Sequence, residues 1–277
     1  MSPTESYVSF FSRLIEYAPY SVLSLFILGL MRVAPIVSMA PFFGARVPAI
    51  VKMGLLISIT FVLMPHIVLT SKTMVGFNVE FMFLCMKEFF IGVILAFFAG
   101  IPFHMAESAG IIIDFQRGSS ALQVTDPSTQ EQTSSIGVLY NYVLIVLFYE
   151  INGPFYFFNA LFDSYTIVPP DVWLTKAFFS FNHPFWKEIW SVVGIVFAVG
   201  IQLAAPSLLA ILMTEMFLGI ANRLAPQVQI VFLGMSLKSL VGLAVLCAAW
   251  FFILQQLNKL TLLWMQNINK LVHLFQT

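Results

Sequence analysis

Six stretches of this chain run for about 20 residues or more with almost no charge, at roughly 21–43, 53–71, 81–103, 136–161, 190–219 and 228–257. A hydrocarbon core about 30 Å thick is crossed by a helix of about 20 apolar residues. Backbone groups in lipid must find their partners inside the spanning segment. The stretches have helical length and lack the short alternating pattern of a membrane barrel. The expected fold is therefore an all-α integral membrane protein of about six helices, arranged as helical hairpins. Charged residues make up 9% of the chain, against about 25% in soluble domains. Pro35, Pro41, Pro102, Pro154 and Pro206 lie in or beside these runs, so kinked helices are expected rather than straight ones.

The connections differ in kind. Residues 41–52 and 72–80 read as short turns, and "NRLAPQ" (222–227) reads as a tight turn between the last two helices. Residues 162–188 hold Pro169, Pro170 and Pro184 among aromatics that suit a membrane interface. The segment 104–135 is the long polar connection. Alternating spans place six Lys/Arg on the side of the termini (Arg13, Lys72, Lys176, Lys187, Lys259, Lys270) and four on the other (Arg46, Lys52, Arg117, Arg223). So small an excess does not fix orientation. The opening "MSPTESYVSFFSRLIEYAP" carries acids and no uninterrupted apolar core, so insertion is expected to use internal segments rather than a cleavable signal. Cys85 and Cys247 lie in apolar runs and read as small buried hydrophobes.

Charges inside the apolar runs are the next constraint. Arg32, Lys87, Glu88, Glu215 and Lys238 each interrupt one. Such groups cost a few kcal/mol unless they face partners or water. They pair internally, Arg32 with Glu88 for example, or they meet a water-filled path or a neighbouring chain. Five such sites offer too few obvious matches within one chain, which favours neighbouring chains. The net charge of zero offers no basic patch for nucleic acid. No HExxH, no Cys/His ligand spacing, no GxSxG and no glycine-rich phosphate loop is present. His104 and Glu107 share a helical face at i, i+3, a spacing more typical of a structural hydrogen bond than of a metal site. No enzyme and no cofactor are expected.

The run "IIIDFQRGSSALQVTDPSTQEQTSS" (111–135) is the most polar stretch at the centre of the chain. Gly110, Gln116, Gly118, Asp126 and Pro127 form the pattern G-x5-Q-x-G-x7-D-P. Arg32 with Pro35, Pro48-x3-Lys52-x-Gly54-Leu55, Glu88 with Gly92, Asn152-Gly153 and "NRLAPQVQIVFLG" (222–234) follow in order. Each piece alone is common. Together, over nearly the whole chain, they resemble the FliR/SctT family (SpaR- and YscT-like), subunits of the export gate of flagella and of type III secretion injectisomes.

That resemblance implies a bacterial inner-membrane subunit without enzymatic activity. It implies one copy joined to about five FliP/SctR-type and four FliQ/SctS-type subunits, alongside FlhB/SctU-type and FlhA/SctV-type components. Unfolded secretion substrates would pass through the pore. Residues 1–185 would correspond to a FliP-like part and 186–277 to a FliQ-like hairpin with a C-terminal tail. The central run, about 112–127, would help to plug the pore. Asp114, Phe115, Gln116, Arg117, Gly118, Leu122, Val124, Asp126 and Pro127 would carry that role. Phe115, Leu122 and Val124 can supply an apolar constriction that excludes water. Asp114 and Arg117, three apart, can pair on a helical turn. Asp126 and Pro127 suit the N-cap and first position of a following helix. Arg32, Lys87, Glu88, Glu215, Arg223 and Lys238 would be intramembrane polar groups or subunit contacts. Asn222, Ala225, Pro226 and Gln227 would form the hairpin turn. The stretch "SSALQVT" is more polar than in flagellar relatives, which leans toward an injectisome. The competing reading is a self-sufficient secondary transporter for a small solute, which kinked helices and scattered charges allow. No inverted repeat or matching pair of broken segments supports it.

Overall fold

Helix breakers and apolar runs together set the element order. The computed structural model describes Ser12 and residues 19–44, 47–73, 75–118, 134–174, 178, 180, 183–224 and 230–275. Helices α1 (Pro19–Met39), α2 (Ala49–Thr70), α3 (Val79–Gln116), α4 (Ser135–Glu150), α5 (Gly153–Ile167), α6 (Pro184–Leu224) and α7 (Ile230–His273) follow one another. A 3₁₀ turn, Pro41–Phe43, lies between α1 and α2. No strand occurs among the described residues. Five helices are long and apolar enough to cross a membrane, and the broken pair α4 and α5 makes a sixth candidate. The chain is an all-α integral membrane protein.

Three boundaries differ from the sequence expectation. Helix α3 does not stop near 103 but runs to Gln116, because the polar residues of its last turns find partners there. The run expected as one helix over 136–161 breaks at Asn152, whose φ of 58° is left-handed. Asparagine tolerates that region better than most residues, and Pro154 then begins α5 without needing a donor. Helices α6 and α7 have 41 and 44 residues. At about 1.5 Å per residue, each is about twice the thickness of a hydrocarbon core. Pro35, Pro65, Pro102 and Pro206 lie inside continuous helices.

The described residues form two compact units. The first contains residues up to Gly100, Asn152–Trp190 and Trp264 onward. In it α1 approaches α2 at Gly29, where an added Cβ would meet Ile67 Cδ1 at 2.8 Å and Thr60 Cγ2 at 3.0 Å. Leu25, Leu28, Val33 and Ile36 of α1 are buried beside them. The end of α7 belongs to this unit. Phe275 stacks on Phe178, ring centroids 5.6 Å apart, and lies 5.1 Å from Phe185. Pro102 cannot donate to the carbonyl of Phe98, four residues earlier. The indole of Trp264 donates to that carbonyl instead, at 2.8 Å. Trp264→Phe keeps the ring and deletes the donor. We expect it to lower the stability of the detergent-solubilised chain by about 1 kcal/mol, as for other single bonds between membrane helices. An unchanged melting temperature would show that the freed carbonyl does not anchor α7.

The second unit contains Ile101–Ile151 and Ser191–Leu263. Its contacts run through small residues: Gly110 on Gly137, Gly200 on Ser108 and Gly242 on Ile211. Phe103 packs edge-on against Phe148 and Tyr140 lies beside Trp250. Cys247 is exposed and Cys85 half-buried, contrary to the expectation that both are buried. An apolar residue of a membrane helix is solvated by lipid on the outer face, so hydrophobicity alone does not place it inside.

Candidate functional site

The charges of the first unit meet at one point. Arg32 of α1 and Glu88 of α3 are both fully buried. Arg32 Nε donates to Glu88 Oε2 at 2.5 Å and Nη2 donates to Oε1 at 2.8 Å, a bidentate pair. The guanidinium also donates to Ser164 Oγ at 3.1 Å and to the Val168 carbonyl at 2.8 Å. Its carbon lies 4.0 Å from the centre of the Tyr165 ring. Lys87 Nζ lies 2.7 Å from Glu88 Oε1 and donates to the carbonyls of Pro169, Pro170 and Val172 at 2.8–3.0 Å. Every nitrogen of the two cations' charged groups therefore has an acceptor from α3 or from the end of α5 and the segment after it. Gly92 makes this possible: a Cβ there would overlap the Arg32 carbonyl oxygen. Asp171 closes the same segment by accepting from the Lys72 and Thr73 amides, each at 2.8 Å.

The second unit holds the base of the central run. Asp114, Phe115 and Gln116 form the last turn of α3, and Arg117 and Gly118 the turn after it. Gly118 has φ +81°, which its lack of a side chain permits. Asp114 is nearly buried. Its Oδ1 accepts from Arg117, Nε at 2.7 Å and Nη2 at 2.6 Å. Its Oδ2 accepts from Ser134 Oγ at 2.5 Å and from the Ile136 amide at 2.9 Å. Ser134 caps α4 by accepting from the Gly137 amide at 2.9 Å. Phe115 is exposed. Leu122, Val124, Asp126 and Pro127 lie outside the described residues.

A third polar site sits on the α6–α7 hairpin. Lys238 Nζ donates to Glu215 Oε1 at 2.5 Å, and Gln116 Nε2 lies 3.4 Å from Glu215 Oε2. The pair borders a cavity of about 270 Å³ with Leu218, Gly219, Asn222, Gly234 and Met235. The Glu215 side chain is 38% exposed and that of Lys238 17%. Arg223 and Asn222 are exposed at the end of α6. Ala225, Pro226 and Gln227 lie outside the described residues. His104 and Glu107 stand 3.9 Å apart, His104 exposed and Glu107 half-buried. No group of three or more metal-ligating side chains occurs among the described residues.

The sequence reading brought Asp114 to Arg117 and Arg32 to Glu88. It missed Ser134, although a serine directly before an apolar helix is an N-cap signal. It missed the link from Gln116 to Glu215. It also missed the carbonyl cage around Lys87, which no side-chain pattern could reveal.

Comparison with known proteins places this polytopic chain in a family. Residues 23–263 match the family described as bacterial export proteins, family 1. The chain is 29% identical over 205 residues to the secretion system apparatus protein SsaT of Salmonella typhimurium, covering 73% of this chain and 77% of that protein. It is 31% identical over 192 residues to the Yop proteins translocation protein T of Yersinia pestis, covering 69% and 72%. It is 28% identical over 231 residues to the flagellar biosynthetic protein FliR of Escherichia coli, covering 82% and 85%. The chain belongs to bacterial export proteins family 1, the FliR/SctT family, and is a multi-pass inner-membrane subunit of a type III export apparatus.

Proposed function

We propose that this chain is a non-enzymatic subunit of the export gate itself. It forms the pore for unfolded substrates together with FliP/SctR-type and FliQ/SctS-type subunits, about five and four copies to one by family resemblance. FlhB/SctU-type and FlhA/SctV-type components complete the apparatus. Residues 1–185 take the FliP-like role and 186–277 the FliQ-like role, and the run at about 112–127 helps to plug the pore. The observation that carries this reading is the Glu215–Lys238 pair. It lies part-open beside a cavity on a hairpin of two helices, each long and apolar enough to cross a membrane. Charges open to lipid are expensive, and they mark partners or polar paths. Neighbouring subunits that cover Glu215, Lys238 and Arg223 remove that cost. A self-sufficient transporter would leave it standing.

Native mass spectrometry of the tagged chain, extracted from its own host in mild detergent, tests the assembly. A single copy bound to several copies of two smaller hydrophobic proteins is the expected result. A chain that emerges alone or as a homodimer under conditions that preserve other membrane complexes overturns the reading. Deleting residues 119–125 is expected to leave assembly intact and make the membrane leaky to ions. Unchanged permeability in the assembled deletion sinks the plug.

A further inference from the structure

Helices α3 and α4 cross at Gly110 and Gly137, where a Cβ on Gly110 would run into the backbone of Ile136 and Gly137. Phe103 of α3 packs on Phe148 of α4 on the far side of that crossing, so what remains to be held is the side toward the two helix ends. Asp114 lies one turn beyond Gly110 toward the end of α3, and Ser134 nearly one turn beyond Gly137 toward the start of α4. We propose that Asp114 is a positioning residue. It fixes the two helix ends between which the central run is strung, and thereby sets where that run lies in the pore. The proposal rests on the plug reading above and adds to it the group that holds the plug's base.

The chemistry suits that task. One carboxylate takes bonds from both sides of the run. Arg117 fills Oδ1 from the α3 side, and Ser134 Oγ and the Ile136 amide fill Oδ2 from the α4 side. Bonds to an ionised acceptor are roughly twice as strong as neutral ones. A negative charge beside the first turn of α4 is also favoured by the helix dipole. Arg117 balances the charge of Asp114 locally in a buried position. Ser134 serves both partners at once, donating to Asp114 and accepting from the Gly137 amide. Without the carboxylate, the Ile136 amide loses its acceptor and Arg117 loses its counter-ion. The two helix ends then lose the side-chain bonds that tie them together. The ends of a tethered segment bound the region it can reach, so looser ends widen that region.

The test uses the assembled complex in native membranes, with Cys85 and Cys247 replaced by alanine and spin-labelled cysteines at the exposed positions Phe115 and Ser135. A single narrow distance distribution is expected with Asp114 present. Asp114→Ala should broaden it, and in the unlabelled chain should raise ion leak severalfold while assembly persists. Asp114→Asn keeps the shape and one acceptor oxygen, and should fall between. Arg117→Ala leaves both bonds to the α4 side but takes the counter-ion from a buried carboxylate, so it should also fall between. If Asp114→Ala fails to assemble, Ser134→Ala removes one link and should show the same change in milder form. An unchanged distribution in Asp114→Ala or Ser134→Ala overturns the proposal. A broadened distribution with a tight membrane also overturns it, provided that deletion of 119–125 leaks, and the plug then stands without this anchor. If that deletion does not leak, the plug reading falls and takes the positioning role with it.

Discussion

Glu88→Ala is expected to remove the folded chain from the membrane almost entirely. The substitution leaves Arg32 and Lys87, both buried in the first unit, with no carboxylate bonded to either. Arg32 would keep Ser164 and the Val168 carbonyl, and Lys87 its three carbonyls. Neutral acceptors do not offset two like charges held close together in a low dielectric. Breaking a buried pair by deleting one partner costs about 3–5 kcal/mol, and a whole domain is stable by only about 5–15 kcal/mol. Glu88→Gln keeps the shape and one acceptor and should lose less. Arg32→Met with Glu88→Leu removes the bidentate pair as a unit and leaves Lys87 on its carbonyls, so it should recover much of the loss. The amount of chain incorporated into the complex, and the melting of what remains, measure this. Glu88→Ala at full abundance with an unshifted melt would show that the buried pair contributes nothing.

This network also marks how far the sequence could be read. The apolar runs were legible because lipid forces about 20 residues of helix per crossing, and all six places hold helix. Arg32 and Glu88 were legible as candidates for one another because each is costly alone. The partners of Lys87 were not, because backbone carbonyls at 169, 170 and 172 carry no side-chain signature. Residues 104–116 read as a connection because polarity in a sequence looks like solvent. In the fold Ser108, Asp114 and Gln116 are polar groups with partners inside the protein, so the helix continues through them. Burial was the least legible property. Phe61 and Val62 are exposed at 72% and 71% while Leu63, their neighbour, is buried at 1%. All three are equally apolar, and only the protein's own packing tells lipid-facing from core. Glu215 and Lys238 are expected to bond to or sit beside neighbouring chains, and within this chain they bond each other. The open side of that pair is where the subunit contact is still proposed.

Gly110→Val is expected to give the largest loss of any single-glycine substitution in the second unit. Its Cβ position falls within 3 Å of Gly137 N, Gly137 Cα and Ile136 C, all backbone of the first turn of α4. A flexible side chain can swing aside, but a helix backbone must move as a body. Moving α4 by the required distance would also draw Ser134 and the Ile136 amide away from Asp114. Overfilling a packed contact costs about 1–3 kcal/mol and occasionally more, and the loss of those two bonds adds to it. We expect Gly110→Val at or beyond the top of that range, about 3 kcal/mol, with Gly110→Ala less severe. Gly137 cannot compensate, because it is already the glycine opposite. Gly194 gives the opposite sign. A Cβ there meets nothing within 4 Å, and glycine inside a helix is about 1 kcal/mol worse than alanine. In the isolated solubilised chain, Gly194→Ala should therefore hold or raise the melting temperature while Gly110→Ala lowers it. Equal behaviour of the two alanine variants would mean that helix propensity, and not the Gly110–Gly137 crossing, decides stability here. The first glycine of the G-x5-Q-x-G-x7-D-P pattern would then be present for some reason other than close approach. If the signs differ as expected, that glycine is required because two helix backbones touch there.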